Sequence, residues 1–139
     1  MRSFVLAVIL TSAACSGAEG PLMLAGQDCM QCHSGSAANA LSAPTWSVAG
    51  TLYTAPDADP NAGVEGGLVH VTDATGVQLT LRSNLAGNFY SADTLIFPLE
   101  VCVERAGATR CMQNVVQGSC NGCHTVPSQN HAPGRITTP

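Results

Sequence analysis

The sequence contains no lysine, and five arginines stand against nine acidic residues for a formal charge of −4. Charged side chains make up only 10% of it, well below the roughly 25% of an average soluble chain. No basic face is available for nucleic acid or for an anionic membrane surface. Nor is there an apolar run approaching the about 20 residues of a spanning helix. The nearest is FVLAVIL, which follows Arg2 and precedes the small residues TSAACSGA. That order is the pattern of an export signal over residues 1–15, and no later stretch replaces it as a membrane span. No nucleophile–base–acid set is apparent, so no enzymatic role is expected. With 139 residues there is room for one domain and short appendages.

The stretch SAAC at 12–15 resembles the bacterial lipoprotein signal, with Ser12 in the place of the usual Leu. The resemblance implies that Cys15 becomes a lipidated first residue, placing the chain in the periplasm or at the outer surface with a lipid anchor. The rival cut, after Ser16-Gly17-Ala18, discards Cys15 with the signal. On either reading six of the seven cysteines remain, in an oxidising compartment. Cys102 and Cys111 flank VERAGATR. Pairing them also pairs Glu104 with Thr109 and leaves Ala106-Gly107 as a two-residue hairpin turn, so a cross-strand disulfide is expected.

The other four cysteines form CMQCH at 29–33 and CNGCH at 120–124. Composition alone gives roughly 0.01 such pentapeptides per shuffled chain, so two are not coincidence. Two thiols three positions apart on one helical turn reach the two vinyl groups of a porphyrin, and the adjacent imidazole then points at the iron. A zinc site uses the same thiolates but does not require His after the second Cys. A thiol–disulfide exchange pair is usually single and beside a βαβ unit, for which no pattern exists here. The two pentapeptides resemble those of c-type cytochromes. The resemblance implies two covalent haems c, held by Cys29 and Cys32 and by Cys120 and Cys123, with His33 and His124 as proximal iron ligands.

Between the motifs, apolar residues alternate with polar ones: Trp46, Val48, Gly50 and Leu52, then Val69 and Val71, then Val77, Leu79 and Leu81. Period-2 alternation of this kind predicts strands covered on one face. Turn sequences PDADPNAG, DATG and NLAGN separate them. Runs near 46–54, 67–72, 77–82, 87–91, 95–104 and 108–116 predict a mainly β fold, a small antiparallel β-sandwich of about six or seven strands over residues 46–116. The run from Gly50 to Tyr90 resembles carboxypeptidase regulatory-like β-sandwiches. Residues 20–45 and 117–139, rich in Ser, Ala, Gly, Pro and Asn, are expected to be irregular haem segments. Asp57 to Gly63 looks only in passing like a calcium loop, lacking its Gly and its Glu, and reads as a solvated turn.

Each iron has a second axial position, for which His70 and His131 are the histidines left. His70 alternates opposite Val69 and Val71 and is expected on an outer sheet face. His131 lies seven residues after His124, a span that reaches about 24 Å when extended. Met112, opposite Val101 and expected on the inner face, and Met23, ahead of the first motif, are weaker alternatives. An even strand count of six would bring both haem segments to one end of the sandwich. The expected function is that of an exported dihaem cytochrome carrying single electrons between redox proteins, with self-association allowed. The alternatives are a haem-based sensor with one open axial position and a surface attachment module.

Overall fold

Residues 20–36 and 43–139 are described by the computed structural model; the export signal and Cys15 lie outside them. The alternating segments become β1 (Val48–Tyr53), β2 (Leu68–Thr72), β3 (Gln78–Arg82), β4 (Asn88–Ser91), β5 (Leu99–Arg105) and β6 (Ala108–Val115). A short seventh strand, β7 (Ile136–Thr137), comes from the segment expected to be irregular. They form two sheets, in the orders β4-β1-β7 and β3-β2-β5-β6. All pairings are antiparallel except β1 with β7. The inward side chains of the two sheets meet in one core built on Val48, Leu52, Val69, Val71, Phe89, Leu99 and Val103. The fold is a small mainly β sandwich. Among the described residues, no helix is long and apolar enough to cross a membrane.

The β5–β6 hairpin follows its sequence closely. Cys102 faces Cys111 and Glu104 faces Thr109, the two cysteines form a disulfide, and Ala106 and Gly107 both take positive φ, 49° and 81°. Two successive left-handed residues match the right-handed strand twist in a two-residue turn. β6 is an edge strand, and every residue of it but Val115 is exposed. That corrects the placement of Met112. It pairs with Val101 as expected but is 52% exposed, because the three-stranded sheet does not extend over the edge of the four-stranded one.

β1 departs from the expected alternation more sharply, for all six of its residues are buried. Val48 and Leu52 enter the core, while the opposite face, through Ala49, Thr51 and Tyr53, is covered by the flanking segments. Trp46 precedes the strand and does not share the face of Val48. It stacks on Tyr90 at 4.2 Å between ring centroids, and Tyr90 alternates with the core residue Phe89.

The turn after β2 is organised by Asp73. Its carboxylate accepts hydrogen bonds from the Thr75 hydroxyl and backbone N–H, the Val77 N–H and the Ile96 N–H, at 2.7–3.1 Å. The Thr75 hydroxyl leads these in holding the carboxyl at about 2, below its ordinary 3.8, against the opposing effect of burial. A carboxylate whose folded value is depressed stabilises the fold above the unfolded value and loses that contribution as pH falls. Asp73→Asn should therefore lower the urea midpoint at pH 7. The gap from wild type should narrow below about pH 4 and close near pH 2; a gap independent of pH would show that the charge is not what stabilises the turn.

Candidate cofactor site at the two Cys-x-x-Cys-His turns

Both motifs fold as single helical turns, α1 (Met30–His33) and α2 (Cys120–Cys123). Asp28 ties them together. One oxygen of its carboxylate accepts the Met30 N–H at 3.0 Å, an Asx turn that leads the chain into the first helical turn. The same oxygen accepts a hydrogen bond from the hydroxyl of Ser119, the residue preceding the second turn.

The second turn is set against β1 by the strand's own open edge. On that edge the Ala49 N–H donates to Gly118 O and the Thr138 N–H donates to Tyr53 O, both at 2.9 Å. Between them the Thr51 N–H meets no backbone partner and donates instead to Oδ1 of Asn121 at 3.0 Å. The Asn121 amide thus takes the place of a strand residue. Its Nδ2 donates to Gln27 O at 2.8 Å and to Thr51 Oγ1 at 2.9 Å. The Thr51 hydroxyl also accepts the Gly26 N–H at 2.9 Å and donates to Asn88 Oδ1 at 2.8 Å, and Asn88 Nδ2 donates to Met23 O at 2.8 Å. Asn121 is 2% exposed and Thr51 wholly buried. Every polar atom of these two side chains is used, as burial demands.

The two motif histidines receive matching treatment. His33 Nδ1 lies 2.7 Å from Pro44 O and His124 Nδ1 lies 2.9 Å from Gly134 O. A carbonyl can only accept, so each Nδ1 carries the proton, and the Nε2 lone pair is left as the metal-binding one. The His33 ring is also buried and stacked on Trp46 at 3.5 Å with 7° between planes.

The thiols differ. Cys29, Cys120 and Cys123 are free, whereas Cys32 is disulfide-bonded. Burial pushes the Cys29 thiol up to about 11, with Asp28 adding to it, and the Cys120 thiol up to about 12, with Cys29 and Cys123 adding. Neutral thiols of this kind are poor exchange nucleophiles. Among the described residues, no group of three His, Cys, Asp or Glu side chains is placed to hold a metal ion. The set fits haem at the second turn, and at the first once Cys32 is reduced to a thiol.

The remaining candidates are placed apart. His70 lies on the outer face of the other sheet, facing Cys102. Both its nitrogens are bonded, Nε2 to Glu104 at 2.9 Å and Nδ1 to Thr80 at 3.1 Å. The structure does not bring it to either motif. His131 is exposed, with a φ of 62°, next to Asn130, whose amide donates to Cys123 Sγ at 3.2 Å. The Met23 carbonyl accepts the Asn88 amide at 2.8 Å. Sequence patterning missed Thr51, Asn88 and Asn121. A threonine in an apolar strand was the available sign, but its partner lies 70 residues away.

No protein family, characterised protein or solved structure matches the chain.

Asn121→Leu strands the Thr51 N–H and the Gln27 carbonyl. It should cost about 2–4 kcal/mol of stability, read from the urea midpoint, with limited proteolysis opening residues 20–28 and 117–139 together. Opening of one segment alone would refute the shared anchorage.

Proposed function

We propose that the chain is an exported dihaem c-type cytochrome that passes single electrons between redox proteins. The observation carrying this reading is the common geometry of His33 and His124, each with Nδ1 bonded to a carbonyl ten or eleven residues further on. Such a bond fixes the ring, selects the tautomer and raises the basicity of Nε2. The chance of this arising twice, each time beside a Cys-x-x-Cys pair, is small. Haem iron supplies one-electron chemistry with both axial ligands in place. The chain's own residues contribute thiols for attachment, imidazoles for ligation and a rigid sandwich that keeps reorganisation small.

Adjacency of the turns supports exchange within one molecule. Asp28 and Ser119 are in direct contact, and the Asn121 amide spans from the second motif to Gln27. Six strands, β1 to β6, lie between the two turns, the even number expected from the sequence, and both flanking segments pack on β1. For the second axial position of the neighbouring iron, His131 is the histidine attached to the second motif's own loop. The engagement of both nitrogens of His70 favours one alternative, a sensor in which one iron keeps an open position.

Mass measurement of the mature protein, made with haem-attachment machinery, should show two haems, with Cys32→Ala and Cys123→Ala each removing one thioether. A single haem, or a mature protein in which Cys32 stays disulfide-bonded, would overturn the dihaem reading. The oxidised protein should show magnetic coupling between the irons at high dilution. His131→Ala should convert one iron to high spin, while His70→Ala leaves the spectrum unchanged. Carbon monoxide binding to the reduced wild-type protein would move the assignment to the sensor.

A further inference from the structure

Among the described residues β6 is the longest strand, and it stands at one end of the four-stranded sheet. From Ala108 to Asn114 every residue is exposed, and among the described residues no strand pairs with the outer edge. The other outermost strands are shorter, with five residues in β3, four in β4 and two in β7. An open edge of eight residues is a template for a further strand.

The hairpin decides which backbone groups that edge offers. Arg105 faces Ala108 across the two-residue turn, so this pair carries the hydrogen bonding that closes it. Bonded and non-bonded pairs alternate from there. Arg110 and Met112 therefore bond to β5, whereas Thr109, Cys111 and Gln113 turn their N–H and C=O groups outward. The Cα atoms of Cys102 and Cys111 are 4.0 Å apart, the close spacing of a non-hydrogen-bonded pair.

The features that commonly guard an edge strand are sparse here. β6 contains no proline and no lysine. Its irregularity, where Asn114 takes a φ of 56°, comes only after the last outward residue. Arg110 is the single charge of the strand, and its guanidinium is turned back onto the Thr137 hydroxyl at 2.6 Å. Met112 lies on the same face as Arg110 and is left exposed, beyond the reach of the opposing sheet.

We propose that β6 pairs antiparallel with β6 of a second copy, about a two-fold axis at Cys111, joining two four-stranded sheets into a continuous one. Register and charge select this alignment. With Cys111 facing its counterpart, Thr109 faces Gln113 of the second copy, and every outward residue finds a partner. Arg110 then lies opposite Met112 of the second copy, whose exposed side chain covers the aliphatic stem of the arginine. An axis at Arg110 would set arginine against arginine, which like-charge repulsion disfavours. An axis at Met112 would set Thr109 against Val115, beyond the irregularity, and leave its bonds unmade. The pairing goes beyond the dihaem reading and does not depend on it.

The test is sedimentation velocity of the mature chain at concentrations up to about 1 mM, on samples shown by mass to contain no covalent dimer. The wild type should pass from monomer to dimer within that range. Met112→Arg sets arginine against arginine and should abolish the dimer. Met112→Glu sets a carboxylate against Arg110 of the second copy and should tighten it several-fold, a gain that added salt removes. A wild type that stays monomeric, or a dimer that both substitutions weaken or neither affects, would overturn the proposal. Amide hydrogen exchange of the wild type locates the contact without any substitution. Protection should rise with concentration at Thr109, Cys111 and Gln113 and stay level at Arg110 and Met112; a rise on another strand instead would refute the pairing.

Discussion

The buried amide of Asn121 against Thr51 is the contact on which the rest of this structure depends. A central strand must satisfy N–H and C=O groups on both of its edges. β4 provides for one edge of β1. The other edge is completed in three pieces by the C-terminal segment: Gly118, the side chain of Asn121, and β7. Because Asn121 lies inside the second Cys-x-x-Cys-His turn and its Nδ2 reaches Gln27 just before the first, the same amide that finishes the sheet also sets the distance between the motifs.

The networks on the outer face of β1 explain its full burial. A strand with one solvated face would show alternation in its exposure, as β2 and β3 do. β1 carries Ala49, Thr51 and Tyr53 outward, and these are sealed by the loop at 22–28, by Asn121 and by Arg135. The polar groups in that layer are few and almost all paired, with Arg135 Nη1 the exception among the described side chains.

What could be read from the residues divides along physical lines. The strands at 48–53, 68–72 and 78–82 announce themselves through period-2 alternation and through turns whose residues select their backbone conformation, and the strand at 108–115 through its pairing across the Ala106-Gly107 turn. The Cys102–Cys111 pairing follows from a two-residue turn that allows a single register. β7 carries no such signal, being two residues long and held by a parallel pairing to a strand more than eighty residues earlier. The Cys-x-x-Cys-His turns are legible as chemistry because their spacing is local. Their mutual contact is not, since it passes through Thr51, Asn88 and Asn121, whose side chains are ordinary in sequence and informative only once folded. Exposure of Met112 was hidden for a related reason: register tells which face a residue lies on, but not whether the opposing sheet extends that far.

The parallel pairing of β7 with β1 has a consequence for how the chain comes together in time. As synthesis proceeds from the N-terminus, β1 to β6 emerge with one edge of β1 still open, and closure waits for residues 118–138. Contacts of such long sequence separation form late and slowly. Throughout that interval the loop before Cys29 lacks the Asn121 amide that fastens it. The last segment to arrive is then both the second motif and the seal over the first.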